Sequence, residues 1–172
     1  MFWRFLLNIL LLVGLVIGQL SLVNRLPLGI GYVNLLLVIL VYLMVLFGPQ
    51  LALYWFIGAG WLLDVLSFNY WGLHMIAALL VYVLSFFLLT SVFTNRSLYA
   101  LMMIVAAATI VFDVVTAPIV LHSWSSVLTS DIWLVEAKKI AANLVATIGL
   151  FYVFNILIKR VQPVFLRDLK RY

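Results

Sequence analysis

The chain has 172 residues, of which 68% are apolar and 9% charged, with a mean hydropathy of +1.30. An ordinary soluble domain carries about 25% charged residues, and one this small cannot hide so much apolar surface from water, so the composition excludes a soluble domain, a disordered chain and a disulfide scaffold and leaves a polytopic membrane protein. The absence of cysteine removes thiolate metal sites and Cys nucleophiles, and the net charge of +5 arises from ten Lys and Arg residues that form no patch for nucleic acid.

The uncharged runs set the predicted helices. Between Arg4 and Arg25 a first span covers about 5–23, close to the ~20 residues that cross a bilayer. It lacks the small-x-small site of a cleavable leader. The run from Leu26 to Leu63 is too long for one helix, and Gly48-Pro49-Gln50 divides it into spans at 31–47 and 51–66. Glycine suits a helix end and proline starts the next helix without needing its N–H. After a short turn a fourth span covers 72–92, and Thr94-Asn95-Arg96-Ser97 ends it. A fifth covers 98–121. The polar-aromatic segment 122–131 leads to a sixth at 132–159, which Ser130 or Asp131 can cap. The expectation is one domain over 1–172, an all-α bundle of six transmembrane helices.

With both termini in the cytoplasm, Arg4, Arg96, Lys159, Arg160, Arg167, Lys170 and Arg171 lie inside and Arg25, Lys138 and Lys139 outside, as the positive-inside rule requires. Lys138 and Lys139 can snorkel or pair locally with Glu136. Trp71, Trp124 and Trp133 fall at the outer boundary and Trp3 at the inner one, where aromatic belts form. The basic tail after Lys159 suits retention inside and adhesion to anionic membrane lipid. No nucleic-acid partner is expected.

Two carboxylates lie inside predicted spans. Asp64 is about 13 residues along helix three and Asp113 about 15 along helix five, which places both roughly 20 Å up from the inner side at 1.5 Å per residue. Each costs about 2.5–3.5 kcal/mol at mid-membrane on insertion scales, so each should face protein or water. Equal depth admits a proton-sharing aspartyl dyad, but Gly60-Trp61-Leu62-Leu63-Asp64 is not the Gly-x-Gly-Asp of intramembrane aspartyl proteases, and the motifs of lipoprotein signal peptidases are absent. The expected roles are structural: buried polar Asp64 and Asp113, with Gly60 and Gly72 at the same junction. His74 and His122 read as solvated interface residues; a metal site built from them with Asp64 is the sharper alternative.

Glu136, Lys139, Asn143 and Thr147 are spaced by three, four and four and share one face of helix six. That face is a candidate partner groove, or else interhelical glue. Helix one carries Gly14-Leu-Val-Ile-Gly18 with Gln19 beside it, a pattern for close helix approach. Gly14, Gly18, Gln19, Trp124, Glu136, Lys139, Asn143 and Thr147 are the candidate partner-binding residues. No P-loop, Gly-x-Ser-x-Gly, His-Glu-x-x-His or dinucleotide fingerprint occurs, so no catalytic residue, metal or cofactor is assigned and a non-enzymatic role is expected.

The segment Tyr54-Trp-Phe-Ile-Gly-Ala-Gly-Trp-Leu-Leu-Asp64, followed by Gly72-Leu-His-Met and Tyr82, resembles the rod-shape-determining protein MreD family. Members tend to show a Gly-rich third helix ending in Asp, a short outer turn, and Gly opening the fourth helix; Gly58, Gly60, Asp64 and Gly72 stand in those places. Asp113 in helix five and the six-span layout are also similar. Helix two departs, with Asn34 where the family often has proline. The resemblance implies a membrane scaffold of the bacterial cell-elongation complex in the cytoplasmic membrane. It implies association with an MreC-like bitopic protein and influence on a RodA-type glycosyltransferase and a class B penicillin-binding transpeptidase. It also implies a fold similar to the S component of energy-coupling-factor transporters, which supplies the alternative: a small-molecule binding or transport subunit. That alternative needs a polar cavity, whereas the scaffold needs an exposed helix face.

Overall fold

A computed structural model of the chain describes residues 2–21, 30–67, 72–93, 97–120 and 130–169. Those residues form six α-helices: α1 (Phe2–Ser21), α2 (Leu35–Phe47), α3 (Pro49–Ser67), α4 (Leu73–Phe87), α5 (Leu98–Val120) and α6 (Ser130–Leu169). A single 3-10 turn, Ile30–Tyr32, precedes α2, and a π turn, Leu88–Val92, extends α4.

The break at Gly48-Pro49 is as expected. Gly48 adopts φ +89°, its N–H closes on the Met44 carbonyl, and Pro49 is the first residue of α3. Helix two, expected from residue 31, starts only at Leu35. Asn34 accepts the Leu37 N–H through its side chain, which is what an N-cap does. Helix six, expected to end at 159, runs on to Leu169.

Four helical stretches among the described residues are long and apolar enough to cross a membrane: Pro49–Ser67, Leu73–Val92, Leu98–Ala117 and Trp133–Phe154. The apolar stretches Leu6–Ser21 and Leu35–Phe47 are shorter. The chain thus fits a multi-pass helical membrane protein. The exposed surface agrees, with Leu10, Ile17, Ile76, Val83, Met103, Val145 and Val153 all turned outward.

α2 lies at the centre. It is apolar all round, as a helix must be when every face is covered, and Leu36, Leu37, Val38, Leu40, Val41, Tyr42 and Met44 are buried. It packs against all five other helices. At 13 residues it is about 20 Å long, shorter than the helices that enclose it. α3 and α4 form the closest pair. A Cβ built on Gly60 would lie 2.6 Å from the Met75 Cα and 3.0 Å from the His74 carbonyl oxygen, so only glycine admits this crossing. Gly72, at φ +88°, turns the chain into α4. Gly14 and Gly18 differ: a Cβ on either meets nothing within 4 Å. Their face of α1 is not packed against the described bundle.

Two measurements check this architecture. Gly60→Ala should lower thermal stability in detergent by an amount equivalent to about 1–3 kcal/mol, the usual cost of overpacking, because the obstacle is backbone. Gly14→Ala and Gly18→Ala should leave it unchanged or raise it by up to ~1 kcal/mol each through helix propensity. For topology, single cysteines at Asn69 and Ser126 should react with an impermeant thiol reagent in intact cells, and cysteines at Ser97 and Arg167 should not. Labelling at Ser97 would contradict the arrangement with both ends inside.

Candidate functional site

The odd helices end, and the even helices begin, at one end of the bundle. A helix start leaves its first backbone N–H groups without intrahelical partners. In an apolar surround each such group costs several kcal/mol if left bare. The polar residues of this end answer that need, and most come from a different helix than the one they serve.

For α4 the acceptor side chain is Asp64 of α3. Gly72 at the N-cap has no side chain to offer. Asp64 is buried, and its Oδ1 accepts the His74 N–H at 2.8 Å while Oδ2 accepts the Met75 N–H at 3.1 Å. Its charge also lies at the positive end of the helix dipole. His74 Nδ1 lies 2.8 Å from the same Oδ1, so the ring is held against the Asp64 carboxyl. His74 is therefore fixed by Asp64 rather than solvated at an interface as expected.

For α2 three side chains share the task. Asn34 accepts the Leu37 N–H at 3.0 Å; Gln19 of α1 accepts the Leu36 N–H at 3.3 Å and donates to the Val33 carbonyl at 2.9 Å. Asn143 of α6 accepts the Asn34 N–H at 2.7 Å and donates to Thr109 Oγ1 of α5 at 2.9 Å. Thr147 bonds back to the Asn143 carbonyl at 2.7 Å. Asn143 and Thr147 have no exposure and Gln19 is buried.

The partner-docking expectation thus takes a correction. Gln19, Asn143 and Thr147 point into their own bundle and are bonded there, because the buried start of α2 needs them. Lys139 also turns inward. It does not pair locally with Glu136; its Nζ lies 3.0 Å from Asp113 Oδ2 on α5. Lys138 is exposed. Glu136 sits beside this pair with its carboxyl against that of Asp113, and its Oε1 is buried with no hydrogen-bond partner among the described residues. The two aspartates have separate partners, Asp64 on α4 and Asp113 on α6, so neither is placed to share a proton with the other. Trp133 is exposed, as is Trp3. Trp71, His122 and Trp124 lie outside the described residues, and among the described residues no group of three His, Asp or Glu side chains could hold a metal.

Around these groups lies a partly open cavity of about 190 Å³, lined by Gln19, Asn34, His74, Thr109, Asp113, Lys139 and Asn143 with apolar neighbours such as Leu63 and Phe112. Sequence reasoning missed Asn34 and Thr109 as members. The signal for Asn34 was present, since Asn directly before an apolar run is an N-cap pattern. Thr109 had none, because a lone Thr in an apolar helix more often bonds its own backbone, as this one also does to Val105.

Comparison with protein-family models, with curated proteins and with solved structures finds no match to this chain.

Two sets of variants test the site. Asp64→Asn keeps one acceptor oxygen and should cost about 1–2 kcal/mol of stability, whereas Asp64→Leu bares two N–H groups and should cost about 3 kcal/mol or more, read as thermal unfolding in detergent. Lys139→Met alone leaves Asp113 without its cation and should destabilise by about 1–3 kcal/mol, while Lys139→Met with Asp113→Leu should recover most of that loss.

Proposed function

We propose that this chain is a non-enzymatic membrane subunit of the MreD type, acting by association with a bitopic MreC-like protein in the bacterial cell-elongation complex and through it on peptidoglycan synthesis. The observation that carries the reading is the division of labour among its small and polar residues. Those bearing the resemblance are spent on construction: Gly60 on the α3–α4 crossing, Gly58 against Leu12 of α1, Gly72 on the turn, Asp64 on the start of α4. The Gly14–Gly18 face of α1, by contrast, is left open by its own bundle. Within lipid, helices associate by close packing of small residues rather than by hydrophobic burial, so an open small-residue face on a peripheral helix suits a partner helix. Asp64 and Asp113 are bonded to different helices, which fits a constructional role for each.

A second reading, a small-molecule binding subunit similar to the S components of energy-coupling-factor transporters, is favoured by the polar cavity. The two differ in what they require outside the bundle.

Epitope-tagged protein extracted in mild detergent should co-purify with an MreC-like protein, and depletion should cost the cells their rod shape. Gly14→Leu with Gly18→Leu should weaken co-purification while leaving the isolated chain at least as thermally stable as the unmodified one, since both changes favour helix. Undiminished co-purification would remove α1 from the interface. Absence of any such partner, with transporter subunits recovered instead, would favour the second reading.

A further inference from the structure

The cavity at the capped end of the bundle holds more binding capacity than the fold consumes. Its amides are largely spent: Asn143 on Asn34 and Thr109, Gln19 on the start of α2. Its charges are not. Lys139 carries three N–H donors and gives one to Asp113 Oδ2, while the Glu136 carboxyl stands against Asp113 on its other side. Their side chains retain 33% and 19% exposure, although Asn143 beside them has none. Asn34 uses its carbonyl on Leu37 N–H, and its amide N–H groups meet no partner among the described residues. An ion pair of this kind is costly to keep in an apolar bundle and contributes little to stability over an apolar pair, and ionisable residues within membrane spans mark binding sites and pathways.

We propose that this cavity binds a small zwitterion, a molecule of amino-acid size with one carboxylate and one ammonium group a few bonds apart. The two protein charges stand 3.0 Å apart, so a ligand with matched opposite charges can lie across the pair, its carboxylate on Lys139 and its ammonium on Asp113. A simple anion or cation would satisfy one charge by competing with the other, leaving a buried charge less well paired. An uncharged polar ligand would find the Gln19 and Asn143 amides occupied and would have only the Asn34 amide N–H groups to use. The cavity, about 190 Å³ and partly open, has room for a few heavy atoms beyond the charged groups. His74, held by Asp64, and Asn34 border the remaining space and add polar contacts. The inference goes beyond the association reading, which needs no ligand. Binding with partner association intact would satisfy both.

The test uses the full chain purified in detergent, with radiolabelled glycine, L-alanine, D-alanine and β-alanine as probes and unlabelled acetate and ethylamine as competitors. Saturable binding of at least one zwitterion is expected, with acetate and ethylamine at least tenfold weaker. The double variant Lys139→Met with Asp113→Leu removes both charges without stranding either, and binding should be lost from protein that still melts cooperatively. Absence of saturable binding by all four zwitterions overturns the proposal. So does acetate or ethylamine competing as well as the amino acids, a comparison on the unmodified chain that stands whether or not the variant folds. Binding retained by a folded double variant overturns it too.

Discussion

A helix that begins inside an apolar bundle exposes backbone N–H groups that nothing in its own sequence need satisfy, and this protein starts two helices that way at one end. α2 and α4 are each capped mainly from outside, by Gln19 and Asn143 on α1 and α6 and by Asp64 on α3. Water would answer the same need at the surface of a soluble protein. Here the answer must be built in, since a bare N–H in hydrocarbon costs several kcal/mol. The Asn143 cap ties α6 to the start of α2 across 109 residues, so the polar contacts also specify which helices are neighbours.

The central position of α2 follows from the same constraint. A short helix with no polar face can be enclosed only if its start is supplied with acceptors, and Asn34, Gln19 and Asn143 supply them within one turn. Their convergence brings Thr109, Asp113 and Lys139 to the same level and leaves a polar cavity between them. At the α3–α4 junction the two devices are one helical turn apart on the same helix: Gly60 lets the backbones meet, and Asp64 then reaches the amides that the approach brings near. Neither works without the other, because the Asp64 side chain is short.

The polar residues therefore divide by direction. Those facing inward build the bundle end and its cavity. What faces outward is apolar, apart from groups such as Lys138, and on α1 it includes a strip without side chains at Gly14 and Gly18. Association through the outside and ligand contact on the inside use different atoms, so the proposed roles are physically independent.

Composition and the spacing of breaks were enough to show a multi-pass helical chain, and Gly48-Pro49 was enough to place one junction, because backbone conformation at glycine and proline is a local property. The burden on Asp64 and Asp113 was also legible, since the cost of a carboxylate in an apolar helix does not depend on its neighbours. The polar line on α6 was visible as a line, but a period of 3.6 says only that residues share a face, not what that face meets. Only the tertiary structure turned Asn143 and Thr147 inward, gave Lys139 to Asp113, 26 residues away, instead of to Glu136, and left Gly14 and Gly18 uncovered. Those outcomes depend on how helices rotate and cross when every buried N–H must find an acceptor, and that is a condition on the whole bundle that no single segment contains.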